Sequence, residues 1–157
     1  MARTIETSID IDAPIPAVWQ VLTDFDRFSE WSTFILAVEG DVTPGNTVKV
    51  RLNDGGGEVT MKPRILAREA PRQLIWRGML GGSWIFSGEH RFTLSPLPGG
   101  GTRLSHSERF GGLLVPLLWK TLVRRTQPAF LAFNEALRRR CEGDAHQEAP
   151  LAVVGAR

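Results

Sequence analysis

Between Phe34 and Phe110 the chain is cut at short intervals by glycine and proline. The cuts fall at Thr43-Pro44-Gly45-Asn46, Asp54-Gly55-Gly56-Gly57, Ala70-Pro71, Gly81-Gly82 and Pro96-Leu97-Pro98-Gly99-Gly100-Gly101. The segments they separate, 34–40, 47–53, 58–70, 73–80, 83–95 and 102–110, read as β-strands. Separators this short leave no room for the crossover helix that parallel neighbours need, so successive strands pair as hairpins in an antiparallel meander. Pro63 has no N–H to give to a ladder, and a bulge or an edge position is expected there.

The flanks add helices. Ile5, Thr7, Ile9 and Ile11 alternate with Glu6, Ser8, Asp10 and Asp12, which predicts a half-buried strand over 3–12. Asp12-Ala13-Pro14 ends it and offers a cap, and Val18, Val21 and Leu22 then recur at helical spacing as far as Thr23. Residues 24–31 read as a second short helix with Phe25 and Phe28 on one side. After the strands, Leu114, Leu118, Leu122, Ala129, Phe133 and Leu137 trace an apolar stripe along a helix over about 113–141. Pro128 predicts a kink within it. Gly111-Gly112 gives a flexible approach to this helix, a junction able to serve as a gate. Beyond Glu142 the composition drifts to Gly, Ala, His and Gln, so 143–157 read as a flexible tail behind one folded domain, 1–142. A length of 157 residues suits a single core. The expected class is α+β: a curved antiparallel sheet of about seven strands wrapped around a long C-terminal helix.

Composition removes several function classes. The net charge of +2 and pI of 9.2 come largely from arginines near the end of the chain, Arg124-Arg125 and Arg138-Arg139-Arg140. A solvated helix face, favoured by the helix dipole, accounts for them, and no nucleic-acid motif accompanies them. No apolar run approaches the roughly 18 residues of a membrane-spanning helix, so no stable membrane insertion is expected. The N-terminus enters a strand with no apolar signal core, and the lone Cys141 has no partner for a disulfide. A cytoplasmic location and the possibility of a homodimer complete the expectations.

A strongly bent sheet has one concave face, and a single helix is too narrow to fill it, which leaves an apolar cavity. Five Trp and eight Phe are the side chains able to plug it instead. Particular runs sharpen the picture: Ile11-Asp12-Ala13-Pro14 with Val18-Trp19, Leu22-Thr23-Asp24-Phe25 and Trp31; Gly88-Glu89-His90-Arg91-Phe92-Thr93-Leu94; Gly100-Gly101-Thr102-Arg103-Leu104; Glu108-Arg109-Phe110-Gly111-Gly112; and Phe133-Asn134-Glu135-Ala136-Leu137. With these the sequence resembles the polyketide cyclase/dehydrase-type branch of the START-like (SRPBCC) superfamily over about residues 3–142. The resemblance implies the helix-grip fold and a cavity for lipids, polyketides, hormones or other apolar molecules. Some members of that family catalyse cyclisation or dehydration, and others only carry or sequester.

The hairpin of 83–95 and 102–110 holds the candidate chemistry. With its turn centred near Gly99, His90 faces Glu108 and Phe92 faces His106. Trp84, Phe86, His90, Phe92, Leu104, His106, Glu108 and Phe110 then share the cavity face. His90 and Glu108 are the candidate acid–base pair, a carboxylate orienting an imidazole that moves protons. A self-satisfied polar pair that fixes the hairpin register is the structural alternative. A metal site from His90, His106 and Glu108 is not expected, since no dense His/Cys spacing supports it.

Candidate ligand contacts are Trp31 and Phe34 near the mouth, Trp76, Trp84, Phe86, Phe92, His106 and Phe110 on the sheet, and Leu118, Leu122 and Phe133 on the helix. Arg51, Arg64 and Arg77 are assigned to the surface. The glycine runs at 55–57 and 81–82 are hairpin turns, neither opening a helix nor carrying the Lys-Ser/Thr of a phosphate loop, so no cofactor is expected. The chain has no tyrosine, and cyclase chemistry that relies on phenols transfers poorly to it. The leading functional expectation is a binding protein for an apolar or amphipathic small molecule. The alternatives are a cyclase- or dehydratase-type enzyme using His90 and Glu108, or a protein-interaction module.

Overall fold

The computed structural model describes residues 1–147, with side chains described through 143. The order of elements is β1 (Arg3–Ile11), α1 (Ile15–Thr23), a 3-10 helix (Phe25–Glu30), β2 (Ile35–Glu39), β3 (Lys49–Asn53), β4 (Glu58–Met61), β5 (Arg64–Glu69), β6 (Gln73–Leu80), β7 (Phe86–Pro96), β8 (Thr102–Gly111) and α2 (Val115–Gln147). α2 thus runs past 142 to Gln147. The rest of the expected tail, 148–157, lies outside the described residues.

Every strand pair is antiparallel, as the short turns require. Five strands form one sheet in the order β1-β8-β7-β6-β5, and three form a second in the order β2-β3-β4. The first strand pairs with the last, from Arg3 opposite Phe110 to Ile11 opposite Thr102. The two sheets meet at Pro63. Segment 58–70, expected as one strand, is divided there into β4 of the small sheet and β5 of the large one. Pro63 has no N–H to offer, and its carbonyl accepts from Val48 N–H at 3.0 Å while Thr47 bridges to Arg64. The chain passes from one sheet to the other at Pro63, with a register irregularity just beyond it between Ile65 and Ala67. In place of the expected single sheet of about seven strands there are a curved sheet of five and a second of three.

α2 lies in the concavity, packed on β1, β8 and α1. Its buried face carries Val115, Thr126, Phe130, Phe133, Asn134, Leu137 and Cys141. The expected stripe is correct in its second half only: Leu114 and Leu118 are 41% and 37% exposed. Steps of four residues overrun the helical repeat of about 3.6 and drift around the cylinder. The step of eleven from Val115 to Thr126 is close to three whole turns and stays on the core face. The approach to α2 is pinned rather than loose. Leu113 N–H and Leu114 N–H donate to Trp84 O and Ile85 O at 2.9 and 3.1 Å. Gly112, at φ +110°, turns the chain hard against Ile85, where no side chain fits.

Among the described residues no helix is long and apolar enough to cross a membrane. The α+β architecture, a curved antiparallel sheet gripping a long C-terminal helix, is the helix-grip fold that the resemblance implies.

Candidate functional site

The space between sheet and helix is plugged at one end and hollow at the other. The plug is aromatic. Phe28, Trp31 and Phe92 converge on Phe133, with ring centroids 6.1, 5.1 and 5.5 Å from it, and Phe34 meets Phe130 at 5.6 Å. Edge-to-face and tilted pairs at these separations contribute about 0.5–1.5 kcal/mol each beyond burial.

The hollow end is a cavity of about 370 Å³. Its walls come from the inward faces of β6, β7 and β8, from the small sheet, and from Leu122 and Thr126 of α2. A glycine pair makes the room. Gly78 and Gly88 stand opposite each other on β6 and β7 at positions whose neighbours along the same face, Trp76 and His90, are large. A β-carbon added at Gly78 would lie 2.7 Å from Met61 Cε, and one at Gly88 would collide with the Glu108 carboxylate. Gly88 therefore lets Glu108 fold over β7 beside His90.

The hairpin register is the expected one, His90 opposite Glu108 and Phe92 opposite His106. His90 and Glu108 both line the cavity, with Nδ1 3.7 Å from Oε2. His90 is 5% exposed, and its ring stacks on Trp76 at 5.3 Å. Of the other candidates, Phe34, Trp76, Phe86, Phe110 and Leu122 line the same cavity.

Six candidates do not. Trp31, Phe92 and Phe133 belong to the aromatic plug, Phe92 at 1% exposure. His106, fully buried, stands behind His90. Leu118 has drifted off the core face, as above. Trp84 is 66% exposed: β7 begins only at Phe86, so strand alternation does not reach back to it. Arg51, Arg64 and Arg77 are exposed, as assigned.

Two residues that the sequence reading did not single out complete the polar end. His106 Nδ1 lies 2.7 Å from Asn134 Oδ1, and Asn134 Nδ2 donates to Thr7 Oγ1 at 2.9 Å. The Thr7 hydroxyl in turn donates to the His106 carbonyl at 3.2 Å. On the other side His106 Nε2 meets His90 Nε2 at 2.8 Å. Burial, with His90 close by, holds the His106 imidazole well below its ordinary value of 6.5, and its hydrogen bond to Asn134 only partly opposes this. His106 is therefore a neutral ring at physiological pH. A signal for both residues existed in the sequence: Asn134 interrupts an apolar helix face, and Thr7 sits at the inward parity of β1 among isoleucines.

The mouth is rimmed by exposed apolar side chains, Val59, Met79 and Leu80. At Gly56 the β3–β4 turn rests against the guanidinium of Arg125, which joins this hairpin to α2. Among the described residues no cluster of three or more His, Cys, Asp or Glu is arranged to hold a metal ion.

Comparison with solved structures gives the same architecture. An aromatase/cyclase, Zhui from Streptomyces sp. R1128, superposes with a TM-score of 0.76 at 18% identity over 92% of this chain and 96% of that one. A norcoclaurine synthase point mutant from Thalictrum, in complex with a transition-state analogue, gives 0.72 at 12% identity over 92% and 97%. A START superfamily protein from Mycobacterium smegmatis gives 0.67 at 18% identity over 89% and 97%. At these identities the likeness is one of fold. No curated protein matches the sequence. The family model described as "Polyketide cyclase / dehydrase and lipid transport" matches residues 2–142, so the chain belongs to that family.

Proposed function

We propose that this chain binds an apolar or amphipathic small molecule in the cavity between its sheet and α2, with a polar group of the ligand directed at His90 and Glu108. The observation that carries the reading is the cavity: about 370 Å³, mostly apolar walls, and one titratable pair at its polar end. Hollows of this size with few convergent polar groups suit small ligands. The family description, which includes lipid transport, supports the same reading.

Native mass spectrometry of the purified protein, together with a thermal-shift panel of apolar compounds, tests it. A retained molecule is expected, or a ligand that raises Tm; at a concentration of 100 Kd linkage adds about 2.7 kcal/mol of stability. Absence of both defeats the reading.

A second reading is favoured by one observation. His90 and Glu108 face the cavity instead of being sealed beneath it, as proton transfer to a bound molecule requires. Under it the chain is a cyclase- or dehydratase-type enzyme, in keeping with the other half of the family description and with the aromatase/cyclase neighbour. Once a ligand is in hand, incubation with wild-type, His90→Gln and Glu108→Gln protein decides. Turnover lost in both variants with binding retained supports catalysis, and an unchanged ligand in all three leaves binding alone.

A further inference from the structure

The buried residues behind His90 dictate where its proton sits. Thr7 Oγ1 gives its hydrogen to the His106 carbonyl and so takes one from Asn134 Nδ2, which turns Asn134 Oδ1 toward His106. A carbonyl oxygen only accepts, so His106 carries its hydrogen on Nδ1. His106 is neutral, and its Nε2 is consequently a bare acceptor. The 2.8 Å contact between the two Nε2 atoms is then a hydrogen bond donated by His90. In the singly protonated ring that hydrogen is committed to Nε2, and the lone pair on Nδ1 is directed toward Glu108 and the cavity.

We infer that the Thr7–Asn134–His106 chain fixes the His90 tautomer, so that the His90–Glu108 pair offers a ligand two acceptor groups, an imidazole nitrogen and a carboxylate, and no donor. The ligand class follows: a molecule that brings its own O–H, a phenol, enol or alcohol, is held, and one that brings a carboxylate or phosphate is refused. The inference rests on the binding reading above. Lys62, the one Lys or Arg lining the cavity, is exposed and follows the end of β4; among the described residues nothing else of positive charge lines the cavity to welcome an anion. Thr7, Asn134 and His106 are positioning residues, since none of them lines the cavity.

Two measurements test this, and they fail separately. The first needs no ligand. Long-range proton–nitrogen NMR of the full chain labelled with ¹⁵N-histidine, at mildly alkaline pH where imidazole is ordinarily neutral, reads each tautomer directly. His90 is expected protonated at Nε2 and His106 at Nδ1. Asn134→Leu is expected to shift part of the His90 population to Nδ1–H. Thr7→Val, a milder change that frees the Asn134 amide to turn over, is expected to do the same if the first variant fails to fold. A wild-type His90 protonated at Nδ1, or variants that leave the tautomer untouched, overturns the inference.

The second measurement is calorimetric titration with naphthalene, 2-naphthol and 2-naphthoate, which share a ring system. The naphthol is expected to bind at least about tenfold more tightly than the naphthoate, the cost of one unmatched polar group. Equal or tighter binding of naphthoate overturns the ligand class. Failure of all three to bind removes the binding reading and the ligand class with it, while the NMR result still decides the tautomer.

Discussion

Glu108 occupies its place because Gly88 has no side chain, and His90 holds its tautomer because His106 stays neutral; each statement can be tested with a single substitution or a single titration. In Gly88→Ala the new β-carbon meets the far end of a flexible glutamate, which swings away. The expected stability change is therefore small, under about 1 kcal/mol. The polar end is nonetheless rebuilt, so a ligand that pairs with Glu108 loses affinity while the Tm of the free protein hardly moves. His106 predicts a pH dependence. Its native pKa lies below the ordinary 6.5, so the unfolded chain takes up a proton at higher pH than the folded one. Stability is full above roughly pH 6.5 and falls as the pH drops below it, with a slope of at most about 1.4 kcal/mol per pH unit for the one proton. Urea unfolding midpoints measured across the weakly acidic range check this. A midpoint that stays level through that range shows that His106 takes up its proton as readily folded as unfolded.

At the scale of elements the difference between the expected and observed helix face becomes a prediction. Phe130 is fully buried against His106 at a ring separation of 3.8 Å, whereas Leu118 is 37% exposed. Phe130→Ala is expected to cost about 3–5 kcal/mol and Leu118→Ala well under half of that. Chemical denaturation of the two variants ranks them. The same comparison shows what was legible in the sequence. Strand alternation in β7 and β8 located His90 and Glu108 on one face and gave their register, because a glycine-centred hairpin leaves one simple pairing. Alternation failed at Trp84, since it holds only inside a strand and β7 starts two residues later. Pro63 reads as an interruption in the sequence, but whether the interruption is a bulge or a corner depends on what it meets across the junction, here Val48 just ahead of β3. Asn134 and Thr7 meet across 127 positions of sequence, and no local pattern pairs them.

For the whole molecule the question is what keeps a domain this small from closing on itself completely. It carries enough aromatic side chains to fill the concavity, and it places them at one end: the plug around Phe133 uses Phe28, Trp31 and Phe92. The other end is kept open by omission, through the facing glycines of β6 and β7. If the hollow is maintained for a ligand, filling it should leave the fold intact and abolish binding. Gly78→Leu makes that test. The neighbour its β-carbon would meet is the terminal methyl of Met61, a flexible atom, and beyond lies the cavity itself. Glycine is also a poor strand residue, so the substitution removes a backbone penalty of about 0.5–1 kcal/mol. The ligand-free variant is therefore expected to melt at or above the wild-type temperature, since cavity filling commonly adds about 0.5–2 kcal/mol. The thermal shift given by any wild-type ligand should disappear in it. A variant destabilised by about 1–3 kcal/mol would instead mean that Gly78 serves tight strand packing. A stable variant that still binds would mean that the ligand sits outside the hollow.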